Sequence, residues 1–150
     1  MRLPTEIRER FRRYGRAGGR KRASRMTSEA RRAVARRAAT ARWIRERFGS
    51  SSFEALGLPG GDMVDAGLAE LADRKVTVLS LLVSLAAPRL RREGVPLSPV
   101  HANPEDRLFR LLSRSAGDLA HARYRAHLRQ VSSFADACRR ARLDRRQRAS

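Results

Sequence analysis

Residues 103–112, NPEDRLFRLL, carry the clearest secondary-structure signal in the chain and predict an α-helix. Asn103 is expected to cap this helix, Pro104 takes the first helical position, and two acidic residues complete the first turn. Gly117 is expected to end it. The side chains expected to face a core are Leu108, Leu111 and Leu112, with Phe109 beside them. No alternating apolar pattern typical of a β-strand occurs elsewhere, so we predict an all-α fold, a small helical bundle preceded by a basic, partly flexible helical arm.

Three further helices are predicted for the bundle. Asp62 is expected to cap a short helix over about 63–73, and another helix is expected over 77–87, where Pro88 disturbs its end. Asp118 is expected to cap a long helix whose apolar positions alternate in steps of three and four. That stripe consists of Ala120, Tyr124, Leu128, Val131, Phe134 or Ala135, and Cys138. The stripe could be the core of one chain or the seam of a homodimer, and periodicity alone does not choose.

The net charge of +19 is distributed unevenly over the 150 residues. The first fifty residues carry 17 basic and 4 acidic side chains, the middle fifty carry 5 and 6, and the last fifty carry 12 and 5. A GC-rich genome would favour arginine over lysine, but codon usage does not explain the concentration of charge in the first third. We therefore predict three regions: a basic arm at 1–50, which ends in the turn at 49–52, a helical bundle at 51–143, and a frayed basic tail at 144–150.

One helix is predicted inside the arm, over about 27–48, with Thr27 as its N-cap. At about 100° per residue, its arginines gather on one face and its apolar residues on another. The predicted apolar face consists of Ala30, Val34, Ala38, Ala41, Ile44 and Phe48. Trp43 is expected to dock on the bundle rather than stack on a base. Residues 16–25 are expected to form an extended segment hinged at glycines.

This concentration of arginine predicts contacts with the phosphates of a nucleic acid. The residues expected to make them are Arg16, Arg20, Lys21, Arg22, Arg25, Arg31, Arg32, Arg36 and Arg42. DNA is the expected partner ahead of RNA, and no base specificity is expected, because arginine binds phosphates and guanines alike. A membrane is not an expected partner, because the apolar face of the arm helix is mostly alanine and would insert poorly.

Two segments resemble bacterial sequences. A glycine pair and basic residues at 18–23, followed by Met26 to Glu29 and an Ala/Arg helix that ends at Trp43, are similar to a short motif of plasmid- and defence-associated proteins. This motif is also distantly similar to glycine-rich stress-induced repeats. Residues 64–137, including SLLVSLAAPRL at 80–90 and AHARY at 120–124, resemble small bacterial proteins encoded beside nucleotidyltransferase-type toxins. The second resemblance implies an antitoxin-like or accessory role.

These observations predict an antitoxin-like or regulatory protein, without enzymatic activity, whose arm contacts phosphates and whose bundle binds a protein partner such as a toxin. One alternative is a ribonuclease, because Arg114 and His121 have the spacing of the arginine–histidine pair in HEPN-family enzymes. Another alternative is an architectural or stress-related protein that binds nucleic acid without specificity. No cofactor, metal site or catalytic residue is expected, and Cys138 is expected to be a buried, inert thiol. The charged N-terminal stretch and the absence of a long apolar run predict a cytoplasmic location.

Overall fold

The computed structural model describes residues 4–148. These residues form six α-helices and one 3₁₀ turn: α1 (Thr5–Ser24), α2 (Ser28–Phe48), α3 (Gly61–Ala72), α4 (Val78–Arg92), α5 (Pro104–Ala116), the 3₁₀ turn (Gly117–Leu119) and α6 (Ala120–Arg148). Because no β-strand occurs among the described residues, the predicted all-α fold is confirmed. None of these helices is long and apolar enough to cross a membrane.

The chain divides into two compact units between Val34 and Ala35. This boundary differs from the predicted one at 49–52. Ile44 and Phe48, near the end of α2, are buried in the core of the second unit, and so is Phe53 after the turn. The turn at 49–52 therefore connects two parts of one core, because large apolar side chains on both sides of it are removed from water.

Helix α4 packs against α3, α5 and α6 in the second unit. Its start is fixed by a capping box, in which Thr77 and Ser80 each bind the other's backbone N–H. The helix continues through Pro88 to Arg92, beyond the predicted end at Ala87. Pro88 lacks the N–H for one helical hydrogen bond, but the next turn carries Leu90, which is completely buried. We infer that burial of Leu90 offsets the missing hydrogen bond.

Helices α3 and α4 approach each other closely at Gly67. A Cβ atom at this position would lie 2.6 Å from Val83 Cγ2 and 2.7 Å from the carbonyl oxygen of Leu79. Only a residue without a side chain fits between these atoms. Helix α3 begins after Gly60, whose φ is 72°, so the predicted cap, Asp62, lies instead in the first turn.

Helix α5 has the predicted bounds, with Asn103 at the predicted N-cap position and Pro104 in the first turn. Asn103 precedes the helix and Gly117 follows it, yet Asn103 has a left-handed φ of 46° and makes no side-chain capping hydrogen bond. Leu108 and Leu112 are buried as predicted, whereas Leu111 is only half-buried and Phe109, which was expected beside them, is 41% exposed. Asp118 belongs to the 3₁₀ turn, so it is not the N-cap of α6.

Helix α6 places the predicted apolar stripe inside the second unit. Val131, Phe134 and Cys138 are buried, and the half-buried Tyr124 and Leu128 pack against the same core. The stripe is therefore an intramolecular core element. The helix extends to Arg148, so the predicted frayed tail at 144–150 is helical as far as the described residues reach.

Candidate nucleic-acid interface

Helix α1 is a cationic helix with no buried side chain. Its residues include eight basic and two acidic side chains, a net charge of +6. Glu6 in the first turn and Lys21 and Arg22 in the last turn complement the helix dipole. The segment predicted to be extended, 16–25, is helical as far as Ser24. The glycines do not interrupt the helix, and a Cβ at Gly18 would meet no atom within 4 Å.

One face of α1 has a shallow pocket of about 300 Å³. It is lined by Arg12, Arg13, Arg16, Arg20 and Glu9, so four guanidinium groups share the site with one carboxylate. Among residues 4–148, no arginine of α1 forms an ion pair with a carboxylate. Guanidinium groups bind phosphate oxygens in bidentate geometry, so this pocket has the chemistry of an anion site.

Arg12 and Arg13 are missing from the set predicted from sequence. That set starts at Arg16 because the sequence predicts an extended arm only over 16–25. The recurrence of arginine at positions 8, 12, 16 and 20 could have identified Arg12, since residues four apart lie on one face of a helix, but Arg13 is outside this series.

The remaining predicted features of the first unit are the N-cap of α2 and the exposure of the basic residues that are expected to contact phosphates. The Thr27 hydroxyl accepts a hydrogen bond from the Ala30 N–H at 3.1 Å, which confirms the predicted N-cap of α2. The exposed predicted residues of this unit are Arg16, Arg20, Lys21, Arg22, Arg25, Arg31 and Arg32. Each is accessible to a ligand from solvent.

Arg36 and Arg42 lie in the second unit, where their environments differ. Arg36 is half-buried, and its Nη2 donates to the carbonyl oxygen of Ala72 at 2.5 Å, at the C-terminal end of α3. A cation is favourable there because the last carbonyl groups of a helix lack partners. The neighbouring Arg37 binds Asp73 at 2.8 Å. Arg36 therefore joins α2 to α3, whereas Arg42 is exposed.

Trp43 packs against the core, which confirms the docking predicted for it. Its ring lies edge-on to Phe48 at 5.5 Å and to Phe53 at 6.4 Å, measured between centroids. The predicted apolar face of α2 is correct at Ile44 and Phe48 but wrong at Val34, which is 49% exposed, and at Ala38, which is exposed. The neighbouring Ala33 is buried instead of Val34, so the buried face of α2 is rotated by one residue from the predicted one at that point.

A groove lies between α4 and α6 in the second unit. One half, about 350 Å³, is lined by the apolar side chains of Leu82, Leu85, Ala86, Leu128 and Val131 together with Arg129. The other half, about 330 Å³, is lined by the charged side chains of Arg89, Arg92, Glu93, Asp136 and Arg139. Arg89 and Ser132 line both halves, and Arg89 Nη1 donates to Ser132 Oγ at 2.6 Å. The groove therefore changes from apolar to charged along its length.

The reactive groups described for the second unit lie apart from one another. Burial raises the pKa of the Cys138 thiol to about 11, and this residue is fully buried, as predicted. The thiol is therefore protonated at neutral pH. Arg114 and His121 are both exposed, and the 3₁₀ turn separates their helices. Among the described residues, no three His, Cys, Asp or Glu side chains are placed to hold a metal ion.

Comparison of the chain with protein-family models, with curated proteins and with solved structures found no match. The resemblance of residues 18–43 and 64–137 to bacterial sequences therefore stays a prediction. The function of the chain is therefore inferred from the charge and exposure of its side chains and from the geometry of its surface.

Proposed function

We propose that the first unit binds nucleic acid through its phosphates. One observation carries this proposal: residues 4–34 hold eleven basic and three acidic side chains, a net charge of +8, and the arginines of α1 are neither buried nor ion-paired there. Unpaired cations at this density repel one another, and a polyanion relieves that repulsion while releasing its condensed counterions.

The contacting set differs in part from the set predicted from sequence. Arg12 and Arg13 join it because they share the anion pocket with Arg16 and Arg20. Arg36 leaves it because its guanidinium binds the carbonyl oxygen of Ala72. The proposed set on the first unit is Arg12, Arg13, Arg16, Arg20, Lys21, Arg22, Arg25, Arg31 and Arg32; Arg42 is exposed but belongs to the second unit. These are phosphate contacts, which fix affinity and salt dependence but do not select a base sequence.

We also propose that the second unit binds a protein partner in the groove between α4 and α6. The apolar half of this groove suits the apolar face of a helix, and such grooves are a recurrent mode of peptide recognition. The charged half has three arginines, Arg89, Arg92 and Arg139, against two acids, one of which, Glu93, is paired with Arg142 at 3.3 Å. This excess of positive charge favours an acidic amphipathic helix. A protein with one nucleic-acid-binding unit and one partner-binding unit has the organisation of an antitoxin-like regulator.

The test of nucleic-acid binding is a salt titration of the full chain. The variant R12A/R13A/R16A/R20A removes the anion pocket, and R114A/R123A/R125A/R140A removes the same number of exposed charges from the second unit. The full chain is needed because a truncation at Ser51 would remove Ile44 and Phe48 from the core. The titration measures the affinity for a 20-base-pair duplex between about 50 and 200 mM salt.

We expect the pocket variant to reduce the slope of log affinity against log salt by about 0.9 for each phosphate that the protein no longer neutralises. The control variant should keep its slope within about 0.9 of the wild-type value. Equal reductions in both variants would mean that only total charge matters and would contradict an interface on the first unit. An unchanged affinity in the pocket variant would exclude α1 from the interface.

A further inference from the structure

A second face of α1 carries three exposed apolar side chains. Ile7 is 40% exposed, Phe11 is 66% exposed and Tyr14 is 69% exposed. At about 100° per residue these side chains lie within an arc of about 60°, and Gly18 continues the same line. Along the helix axis the three side chains span about 10 Å. We name Ile7, Phe11 and Tyr14 the aromatic face.

Cationic side chains border the aromatic face along both edges. The helical repeat places Arg10 and Lys21 beside one edge and Arg8 and Arg22 beside the other. The anion pocket of Arg12, Arg13, Arg16 and Arg20 lies around the opposite side of the same helix. A ligand on the aromatic face must therefore offer flat apolar surface and negative charge within a few ångströms of each other.

We infer that the aromatic face binds single-stranded nucleic acid, with bases stacked on Phe11 and Tyr14 and phosphates on the bordering cations. This inference rests on the proposed function and specifies the ligand class. Unpaired bases have free π-faces that stack on aromatic side chains, and a basic surface beside them holds the backbone. The bases of a duplex are already stacked on one another, so a duplex gains only the phosphate contacts.

Charge and side-chain type argue against two other ligands of the aromatic face, a second copy of α1 and a membrane. A second copy of α1 would bring another helix of net charge +6 against the first, which would repel it. A membrane-bound helix requires a broad apolar face, whereas α1 has one aliphatic and two aromatic side chains in a narrow arc. An unpaired strand matches both the rings and the charge.

The experiment compares three fluorescent probes: a 20-nucleotide oligo-dT, an abasic strand with the same number of phosphates, and a 20-base-pair duplex. The test variant is F11L/Y14L, which keeps an apolar side chain at both positions and does not lower helix propensity, but removes both rings. The matched control is F109L, because Phe109 is a 41% exposed ring on α5 in the second unit. Circular dichroism checks that the helix content of each variant is that of the wild type.

We expect the wild type to bind oligo-dT more tightly than the abasic strand by about tenfold for each stacked base. F11L/Y14L should lose this difference while its duplex affinity and salt slope stay those of the wild type, and F109L should keep the difference.

Equal affinity of the wild type for oligo-dT and the abasic strand would overturn the inference and leave phosphate binding standing. Failure of all three probes to bind would overturn both proposals. Sedimentation and binding to anionic phosphatidylglycerol vesicles test the other occupants. If F11L/Y14L keeps the preference for oligo-dT and Phe11→Asp dissolves a dimer or abolishes vesicle binding, the aromatic face serves that occupant instead.

Discussion

The two units of this chain use the same residue types in opposite ways. In the second unit the aromatic side chains Phe53 and Phe134 are completely buried, and their rings meet edge-on at 4.9 Å. In the first unit Phe11 and Tyr14 lie on the surface of a helix that buries nothing. The arginines of the two units also differ in their partners. Arg36 in the second unit binds a backbone carbonyl, whereas the arginines of α1 have no carboxylate partner among the described residues.

This contrast indicates where the folding free energy comes from. The second unit gains stability by removing apolar side chains from water, as globular domains do. Helix α1 has no such gain, and its three glycines each cost about 1 kcal/mol of helix stability relative to alanine. A helix of this kind is expected to be stabilised by a bound polyanion, since ligands that bind only the folded form shift the equilibrium towards it.

The largest difference between the units should appear when a phenylalanine is removed from each. Phe134→Ala is expected to lower the free energy of unfolding by about 3–5 kcal/mol, because the side chain is fully buried and leaves a cavity. Phe11→Ala should change it by less than about 0.5 kcal/mol, because the ring is exposed. Urea unfolding followed by circular dichroism measures both values. A destabilisation by Phe11→Ala comparable to that of Phe134→Ala would show that α1 is part of a packed core.

Only part of this difference between the two units can be predicted from the amino-acid sequence. The periodicity of α5 and α6 predicts the buried faces at Leu108, Leu112 and Cys138, because large apolar side chains recur there at helical spacing. The boundary between the units cannot be predicted from charge. The arginines of α2 continue along the part of the helix whose apolar side chains, Trp43, Ile44 and Phe48, belong to the core of the second unit.

The surroundings of each basic residue could not be predicted from the sequence. Composition alone identifies a basic N-terminal region, but it does not distinguish an arginine that faces solvent from one that binds a helix end. The contact of Arg36 with Ala72 joins residues 36 positions apart, and no local pattern signals it. Nor does the sequence indicate that the glycines of α1 stay helical, since glycine at positions 15, 18 and 19 is more typical of a hinge.

Replacing one glycine by alanine in each unit gives a second comparison, in which the expected changes in stability have opposite signs. Gly67→Ala is expected to destabilise the second unit by about 1–3 kcal/mol, because the new methyl group would overlap Val83 Cγ2 and the Leu79 carbonyl oxygen. Gly18→Ala should raise the helicity of α1, with a gain of about 0.5–1 kcal/mol, because its Cβ would meet nothing. Thermal unfolding measures the first effect and far-ultraviolet circular dichroism the second. If Gly67→Ala left stability unchanged, α3 and α4 would not be in the close contact described.

The comparison that separates the units most sharply exchanges one arginine in each. Arg36→Met should lower the free energy of unfolding by about 1–2 kcal/mol, because the carbonyl oxygen of Ala72 loses a charge-assisted donor. It should leave the salt slope of duplex binding unchanged, since Arg36 is not among the proposed phosphate contacts. Arg31→Met should do the reverse, changing stability by less than about 0.5 kcal/mol and reducing the salt slope by about 0.9. The same two measurements on both variants, urea unfolding and salt titration, therefore form a crossed design. If Arg36→Met reduced the salt slope, Arg36 would be a phosphate contact after all. If Arg31→Met lowered the free energy of unfolding, Arg31 would stabilise the fold of the first unit.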